Sequence, residues 1–175
     1  MNLQISGFVG SVAMLVWAKE QGCPWTTRTS ADAAAGGHVE VLRLAREHDC
    51  PWDEDTCSQA ALNGHLAVLQ WAREHGCPWD DLGMCSTAAI GGTLEVLQWV
   101  RAHHCPWDRL TTASAAGCGH LEVLRWAHER NCPWDWLTCA RAADYGELEA
   151  LRWAREHGCE WDGRTKDRAL RSGCA

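Results

Sequence analysis

The sequence has little positive charge and no long apolar run. Its 175 residues include 16 Lys and Arg against 23 Asp and Glu, which gives a formal net charge of −7. A dedicated nucleic-acid binder normally carries a basic face, so the acidic balance argues against a nucleic-acid partner. The apolar stretches are shorter than the roughly 18 residues that a membrane helix needs, so we expect no membrane span.

Features that accompany secretion, catalysis and metal binding are also missing. The apolar segment 5–18 is not preceded by a positive charge, which argues against a signal peptide. The sequence has no Gly-rich phosphate loop, no nucleophile elbow, and no pair of cysteines at the C-x₂₋₄-C spacing of a zinc site. We therefore expect a protein that is not an enzyme, with no catalytic residue, no metal and no cofactor.

Aromatic use is lopsided, because twelve tryptophans stand against a single Tyr and a single Phe. Much of this bias comes from a tripeptide, Cys-Pro-Trp, that recurs along the chain. The first residues of successive copies are 27, 27, 28, 27 and 27 positions apart, and a fixed period in this range indicates stacked repeats. The copies begin at Cys23, Cys50, Cys77, Cys105 and Cys132, with a sixth copy, Cys-Glu-Trp, at Cys159.

Each repeat contains the signals of two short helices. In the repeat at 53–79, Asp53 or Asp55 is placed to cap a first helix, and Gly64 to end it at positive φ. Apolar residues then recur at i, i+3 and i+4 over residues 65–75, which predicts an amphipathic second helix. Pro78 prevents that helix from continuing. The fold class that follows is all-α, an α-solenoid of stacked helix-turn-helix repeats.

The period divides the whole chain, 1–175, as a single repeat domain. We expect repeats at about 1–25, 26–52, 53–79, 80–107, 108–134 and 135–161, with 162–175 as a C-terminal capping helix. One extra residue between Trp79 and Ala88 predicts a longer turn near residues 81–84. An Asp follows five of the six loop Trp residues and is expected to cap the next first helix. These residues are Asp53, Asp80, Asp108, Asp135 and Asp162.

Eleven cysteines raise two alternatives, a disulfide scaffold and a set of small buried side chains. The tripeptide supplies one cysteine per repeat, and stacked helices lie about 8–10 Å apart, too far for disulfides along this column. A second column holds Cys57, Cys85 and Cys139 where other repeats have Ser30 and Thr112, which indicates selection for small size. We favour buried thiols in an intracellular, cytoplasmic protein; a metal- or redox-responsive Cys/His protein is the alternative.

The other recurring residues are also interpreted as structural. One tryptophan column in the second helices and another in the loops are expected to pack against neighbouring repeats. Histidines near the C-termini of the second helices, such as His75, can bond a free carbonyl group. An arginine column is expected to form a solvated face beside i,i+4 pairs such as Arg43 and Glu47. The column contains Arg46, Arg73, Arg101 and Arg155.

Residues 60–77 resemble an ankyrin repeat. They contain the Ala-Ala-x-x-Gly-His turn, the Val-Leu pair of the second helix, and a terminal Gly followed by a small residue. The match recurs in five repeats and covers nearly the whole chain. The Thr-Pro-Leu-His opening is absent, and each repeat is about six residues shorter than the usual length of about 33. The missing residues fall in the β-hairpin finger, so the resemblance implies little or no strand and a function in protein–protein recognition.

Positions that differ between repeats are free of the stacking constraint, and they concentrate on the first helices. Trp136 departs from its column, Tyr145 is the single tyrosine, and Arg141 lies between them; Trp, Tyr and Arg are enriched at binding hot spots. We expect a scaffold that binds another protein, as a monomer or as part of a longer repeat chain; a structural spacer in such a chain is the alternative. The expected partner-binding residues are Gln59, Asn63, Arg109, Leu110, Trp136, Leu137, Arg141, Asp144 and Tyr145.

Overall fold

The computed structural model describes residues 11–161 and Thr165. Its contacts divide the chain into two compact units, residues 1–80 and residues 81–175. The described parts, 11–80 and 81–161, are called the N-terminal and the C-terminal unit. The first helix expected before residue 10 and the capping helix expected at 162–175 lie outside the described residues, Thr165 excepted.

Five short helices build the N-terminal unit. They are α1 (Val12–Glu20), α2 (Thr27–Ala35), α3 (Val39–Glu47), α4 (Glu54–Leu62) and α5 (Leu66–Glu74). The first helices α2 and α4 pack against each other, and α1, α3 and α5 form a second layer. Isolated helices of this length are marginal in water, so packing between the layers provides their stability.

The C-terminal unit repeats the same arrangement three times. Its helices are α6 (Met84–Gly91), α7 (Leu94–Ala102), α8 (Arg109–Gly117), α9 (Leu121–Glu129), α10 (Trp136–Tyr145) and α11 (Leu148–Glu156). The first helices α6, α8 and α10 pack in succession, and each also contacts its own second helix. The described residues contain no strand, and the all-α prediction is confirmed. None of the described helices is long and apolar enough to cross a membrane.

Small residues on the first helices and leucines on the second helices fill the core of each unit. The alanine pairs, such as Ala60 and Ala61, are completely buried, which lets neighbouring first helices approach closely. One leucine of every second helix is no more than 3% exposed. Burying such a side chain stabilises the fold by about 1.5–3 kcal/mol. These leucines are Leu15, Leu42, Leu69, Leu97, Leu124 and Leu151.

The turns have the backbone conformation that the sequence predicts. Gly64, which follows α4, has a φ of 77°, and the equivalent glycines of the other described repeats are also left-handed. The second residue after each second helix is left-handed as well, even where it carries a side chain, as Asn131 does at 60°. Asn tolerates this region better than most residues because its short side chain can bond locally.

A turn at 81–83 lies at the 28-residue spacing, as expected, but the expected cap Asp80 is wrong. α6 is capped by Gly83. The carbonyl group of Asp81 makes the hydrogen bond that the carbonyl groups of Asp108 and Asp135 make in their repeats. Asp81 therefore takes the repeated position, and Asp80 is the inserted residue.

The cysteine that opens each tripeptide joins the end of a repeat to its start by a hydrogen bond, called the closing bond below. The Sγ atom of Cys77 donates a hydrogen bond to the carbonyl oxygen of Asp53, at the start of the same repeat, over 3.4 Å. Equivalent bonds join residues 24 apart in the other described repeats, over 3.1–3.5 Å. The five cysteines that donate them are at most 4% exposed, in agreement with the prediction of small buried side chains. These cysteines are Cys50, Cys77, Cys105, Cys132 and Cys159.

Candidate partner-binding surface

The N-termini of α8 and α10 present four of the nine expected binding residues, and both helices begin at an aspartate cap. The Asp108 carboxylate accepts the backbone N–H of Leu110 at 2.8 Å, and the Asp135 carboxylate accepts that of Leu137 at 2.9 Å. An Asp at this position satisfies a helix N–H that would otherwise have no partner, which typically stabilises a helix by about 1 kcal/mol. The caps therefore fix where the first turn of each helix begins.

An ion pair joins these two neighbouring repeats. The Arg109 guanidinium lies 2.9 Å from the carboxylate of Asp135, so the same carboxylate caps α10 and pairs with α8. The Arg109 side chain is 57% exposed, and surface pairs of this kind contribute little to stability. Its consequence is positional, because it ties the start of α8 to the cap of α10.

Three large apolar side chains are exposed on α8 and α10. Leu110 is 43% exposed, Trp136 is 39% exposed and Tyr145 is 65% exposed. α8 and α10 pack directly against each other in the C-terminal unit, so the three side chains belong to one layer. Leu137 is partly exposed and Asp144 is exposed in the same layer.

The glycine that ends α8 makes room for side chains of α10. A Cβ atom placed on Gly117 would lie 3.2 Å from the Cβ of Arg141 and 3.3 Å from Cδ2 of Tyr145. These separations are tighter than ordinary carbon–carbon contacts, so Gly117 sets how closely the two side chains pack against α8. Arg141 is partly buried as a result, while most of the Tyr145 side chain faces solvent.

The remaining two expected residues, Gln59 and Asn63, lie in the N-terminal unit, at the end of α4. The Asn63 side-chain amide donates to the backbone carbonyl of Gln59 at 2.8 Å and lies 3.5 Å from its side-chain oxygen. Asn63 is therefore hydrogen-bonded to Gln59 at the C-terminal end of α4. Seven of the nine expected residues share the C-terminal unit, and Gln59 and Asn63 belong to the other.

The arginine column differs from the expected solvated face. The Arg73 guanidinium donates to the carbonyl oxygen of Cys77 at 2.9 Å and lies 4.3 Å from the ring centroid of Trp79. Arg46, Arg101 and Arg155 lie over the loop Trp of their own repeats at 4.2–4.5 Å. The sequence pattern does not predict this stacking, because an arginine at that helix position has the same spacing whether its side chain is solvated or stacked on an aromatic ring. The expected partner Glu47 is also replaced, since Arg43 pairs with Glu40 at 3.8 Å.

The two tryptophan columns pack between repeats, as predicted. The loop residue Trp107 meets Trp126 of the next repeat edge to face, with ring centroids 5.7 Å apart. Trp52 and Trp71 form the equivalent pair in the N-terminal unit, at 5.9 Å. The exposed Trp136 belongs to neither column. Its different environment supports reading it as a surface residue that is free of the stacking constraint.

Histidines support the ends of the second helices and the contacts between repeats. His75 stacks on Trp71, and its Nδ1 atom donates to the Trp71 carbonyl at 2.8 Å; this carbonyl also accepts the backbone N–H of His75, so it is not the free carbonyl group that was expected. His120, before α9, bonds through Nε2 to the carbonyl of Ile90 in the preceding repeat at 2.9 Å. Among residues 11–161 the structure brings together no group of three or more potential metal ligands.

Sequence reasoning missed several exposed apolar residues, among them Leu82 and Ile90, and a groove in the N-terminal unit. Leu82 is 81% exposed in the turn before α6, and Ile90 is 43% exposed at its end. The inserted residue could have drawn attention to the turn, whereas Ile90 had no signal. The groove, in the N-terminal unit, has a volume of about 370 Å³. It is lined by Arg43, Arg46, Glu47, Trp52, Trp71 and His75.

Comparison with known proteins identifies the fold. The chain is similar to the human ASB11 ankyrin repeat domain over 97% of both chains, with a TM-score of 0.68 and 13% sequence identity. It is also similar, with a TM-score of 0.48 and 12% identity, to the pentatricopeptide repeat protein PPR10 in complex with an 18-nucleotide psaJ RNA element, of which it spans 29%. No protein-family model and no curated protein sequence matches the chain. The first similarity shows that the fold is that of an ankyrin repeat domain, and the second is too weak to support an argument.

Proposed function

We propose that this chain is a non-enzymatic scaffold that binds another protein through the exposed surface of α8 and α10. The observation that carries the proposal is the exposure of Leu110, Trp136 and Tyr145 on two first helices that pack against each other. The rings of Trp136 and Tyr145 would bury a large area if a partner covered them, and ordering them costs little side-chain entropy.

The polar groups around these rings fit the same role. The Arg109–Asp135 pair and the partly buried Arg141 surround the apolar residues with charge, as at interfaces that have an apolar centre and a polar rim. Leu137 and Asp144 complete the proposed surface in the C-terminal unit. Gln59 and Asn63 are proposed as additional contacts on α4. We place the chain in the cytoplasm, because the ten cysteines of the described residues are free thiols.

The ankyrin resemblance supports a protein as the partner. Ankyrin repeats generally recognise proteins on the face that is built by their first helices and fingers. The described residues of this chain have no strand, so the fingers are missing and the first helices are the part of that face that remains. Their side chains would then have to supply the contacts that fingers make in longer repeats.

Affinity capture with a matched pair of variants tests the proposal. The variant W136A/Y145A removes the two exposed rings, and the control E122A/E129A removes two exposed carboxylates from α9 in the same unit. We expect at least one protein that the wild type and the control capture equally and that W136A/Y145A captures at least tenfold less, because hot-spot residues contribute about 2 kcal/mol or more each.

Binding measured with the purified partner completes the test. The dissociation constant should rise by about 30-fold or more for W136A/Y145A and stay within about twofold for the control. Identical captured proteins for the wild type and W136A/Y145A would overturn the proposed surface. That result would favour a structural spacer instead. Circular dichroism spectra of both variants establish that the helices are intact.

A further inference from the structure

Three repeats contain two cysteines that face each other inside the same repeat. One cysteine lies on the first helix and the other opens the Cys-Pro-Trp or Cys-Glu-Trp tripeptide, 20 residues later. All six are at most 3% exposed, and none is in a disulfide. The pairs are Cys57 with Cys77, Cys85 with Cys105, and Cys139 with Cys159.

The repeat that has serine in place of the first cysteine shows how close the two positions are. Ser30 Oγ lies 3.5 Å from Cys50 Sγ, and it donates to the carbonyl oxygen of Pro51 at 2.9 Å. The first-helix thiols have the same position in their repeats, and in one pair Cys85 Sγ lies 3.6 Å from the carbonyl oxygen of its partner, Cys105. Two sulfur atoms at such positions need only a small movement to bond.

Each pair shares one hydrogen bond between its thiols. The hydrogen bond from Cys57 lowers the pKa of the Cys77 thiol, and the same bond, with burial, raises the pKa of Cys57. The Arg73 guanidinium, bonded to the Cys77 carbonyl, also favours the Cys77 thiolate. The same asymmetry holds in the other two pairs. One sulfur of each pair is therefore prepared to act as the nucleophile of a thiol–disulfide exchange.

We propose that these three pairs are dithiol–disulfide sites, each of which forms a disulfide within its repeat by exchange with a small-molecule disulfide such as oxidised glutathione. The thiolate of the tripeptide cysteine attacks one glutathione sulfur, forms a mixed disulfide and releases the first glutathione. The first-helix thiol then loses its proton, attacks the protein sulfur of the mixed disulfide and releases the second glutathione. Two electrons and two protons pass from the protein pair to the two reduced glutathione molecules.

The disulfide would fasten the first helix of a repeat to the loop that ends it. It closes a loop that spans the second helix, and such a closure stabilises the folded state chiefly by restricting the unfolded chain. Because the sulfurs are buried, exchange requires the loop to open briefly, so the reaction is expected to be slow in the folded protein. Cys139 lies on α10, but it is buried and is not one of the proposed binding residues, so the two proposals rest on different side chains.

Peptide mapping of the oxidised full-length chain tests the sites. The exposed Cys118 is first replaced by serine to suppress links between molecules. The protein is incubated with oxidised glutathione at pH 8 without denaturant, and the remaining thiols are then blocked with N-ethylmaleimide in urea. We expect three linked peptide pairs and blocked thiols at Cys50 and Cys132, which face Ser30 and Thr112. Links at Cys50 or Cys132 in comparable yield, or six blocked thiols in the three pairs, would overturn the proposal.

A reciprocal exchange of residues makes the test specific. Cys57→Ser copies the Ser30 repeat, and this variant should lose the link to Cys77 and keep the other two. Ser30→Cys copies the paired repeats, and this variant should gain a fourth link, to Cys50, and lose about 2 Da more on oxidation. The melting temperature should rise on oxidation in the wild type and rise further in Ser30→Cys. A Ser30→Cys variant that folds and forms no fourth link would contradict the geometry on which the proposal rests.

Discussion

The Sγ atom of Cys105 lies 3.1 Å from the backbone carbonyl oxygen of Asp81 and donates a hydrogen bond to it. Cys105 ends the repeat that Asp81 begins, and its own carbonyl oxygen accepts a hydrogen bond from Arg101. One residue thus connects the start of a first helix, the end of a second helix and the loop between repeats. The connection is local, so its contribution to stability can be measured with single substitutions.

Removing the Cys105 side chain should destabilise the protein. Cys105→Ala leaves the carbonyl of Asp81 without its buried donor and creates a small void, and we expect a loss of about 1–2 kcal/mol in the free energy of unfolding. Cys118→Ala is the control, because Cys118 is exposed and should change this free energy by less than about 0.5 kcal/mol. Urea titrations measure both. Equal effects of the two substitutions would show that the closing bond contributes nothing.

Two glycines of the C-terminal unit allow the cost of backbone strain to be measured separately from the cost of a steric collision. Gly92 and Gly146 have φ values of 75° and 79°. A Cβ on Gly92 would collide with the ring of His120, whereas nothing lies within 4 Å of a Cβ on Gly146. We expect Gly146→Ala to cost about 1–2 kcal/mol from the left-handed backbone alone, and Gly92→Ala to cost clearly more. Chemical denaturation of both variants gives the difference, which should vanish in a His120→Ala background.

The contact between Arg101 and Trp107 should stabilise the folded state. The guanidinium lies 4.2 Å from the ring centroid and also bonds the carbonyl of Cys105. Arg101→Met keeps the aliphatic stem but removes the charge and the donor, and we expect a loss of about 1–2 kcal/mol. Arg152→Met is the control, because Arg152 is exposed on α11. Thermal unfolding followed by circular dichroism suits the comparison; a control that loses as much stability would contradict the assigned role.

Alkaline pH should destabilise the protein through Cys132. Burial raises the pKa of this thiol from its ordinary value near 9 to about 12, and the nearby Asp108 carboxylate adds to the effect. A folded pKa above the unfolded one means that the stabilisation is complete below pH 9 and is lost as the pH rises toward 12. From pH 9 to pH 11 the wild type should therefore lose about 2 kcal/mol more than Cys132→Ala. Urea titrations at both pH values check this, and parallel losses in the two proteins would refute it.

The period of the sequence accounts for most of the fold. Gly64 and Asn131 have the left-handed backbone that their positions in the repeat predict, and the Ala60–Ala61 pair is buried as expected. Such features depend on the local conformation of one residue and recur in each repeat. A single sequence therefore contains several independent copies of the same signal.

Features that depend on the contacts of one side chain were not predictable from the pattern. The sequence alone does not say which of the adjacent Asp80 and Asp81 is the extra residue, nor that Gly83 caps α6. The arginine at position 73 has the helical spacing of a solvated side chain, yet it bonds a carbonyl group and stacks on Trp79. The pairing of Cys57 with Cys77 is not visible in either cysteine column alone, because it joins one position of each column within the same repeat.

The bonds that close a repeat have a consequence for how such a chain can lengthen. Donor and acceptor of each closing bond lie 24 residues apart, within one period, as Cys77 and Asp53 do. A tandem duplication of one period that begins just after a tripeptide cysteine would therefore copy both partners together. The new copy would contain both partners of its closing bond. Duplication of a gene segment could therefore add repeats without first evolving a new contact between the end of a repeat and its start.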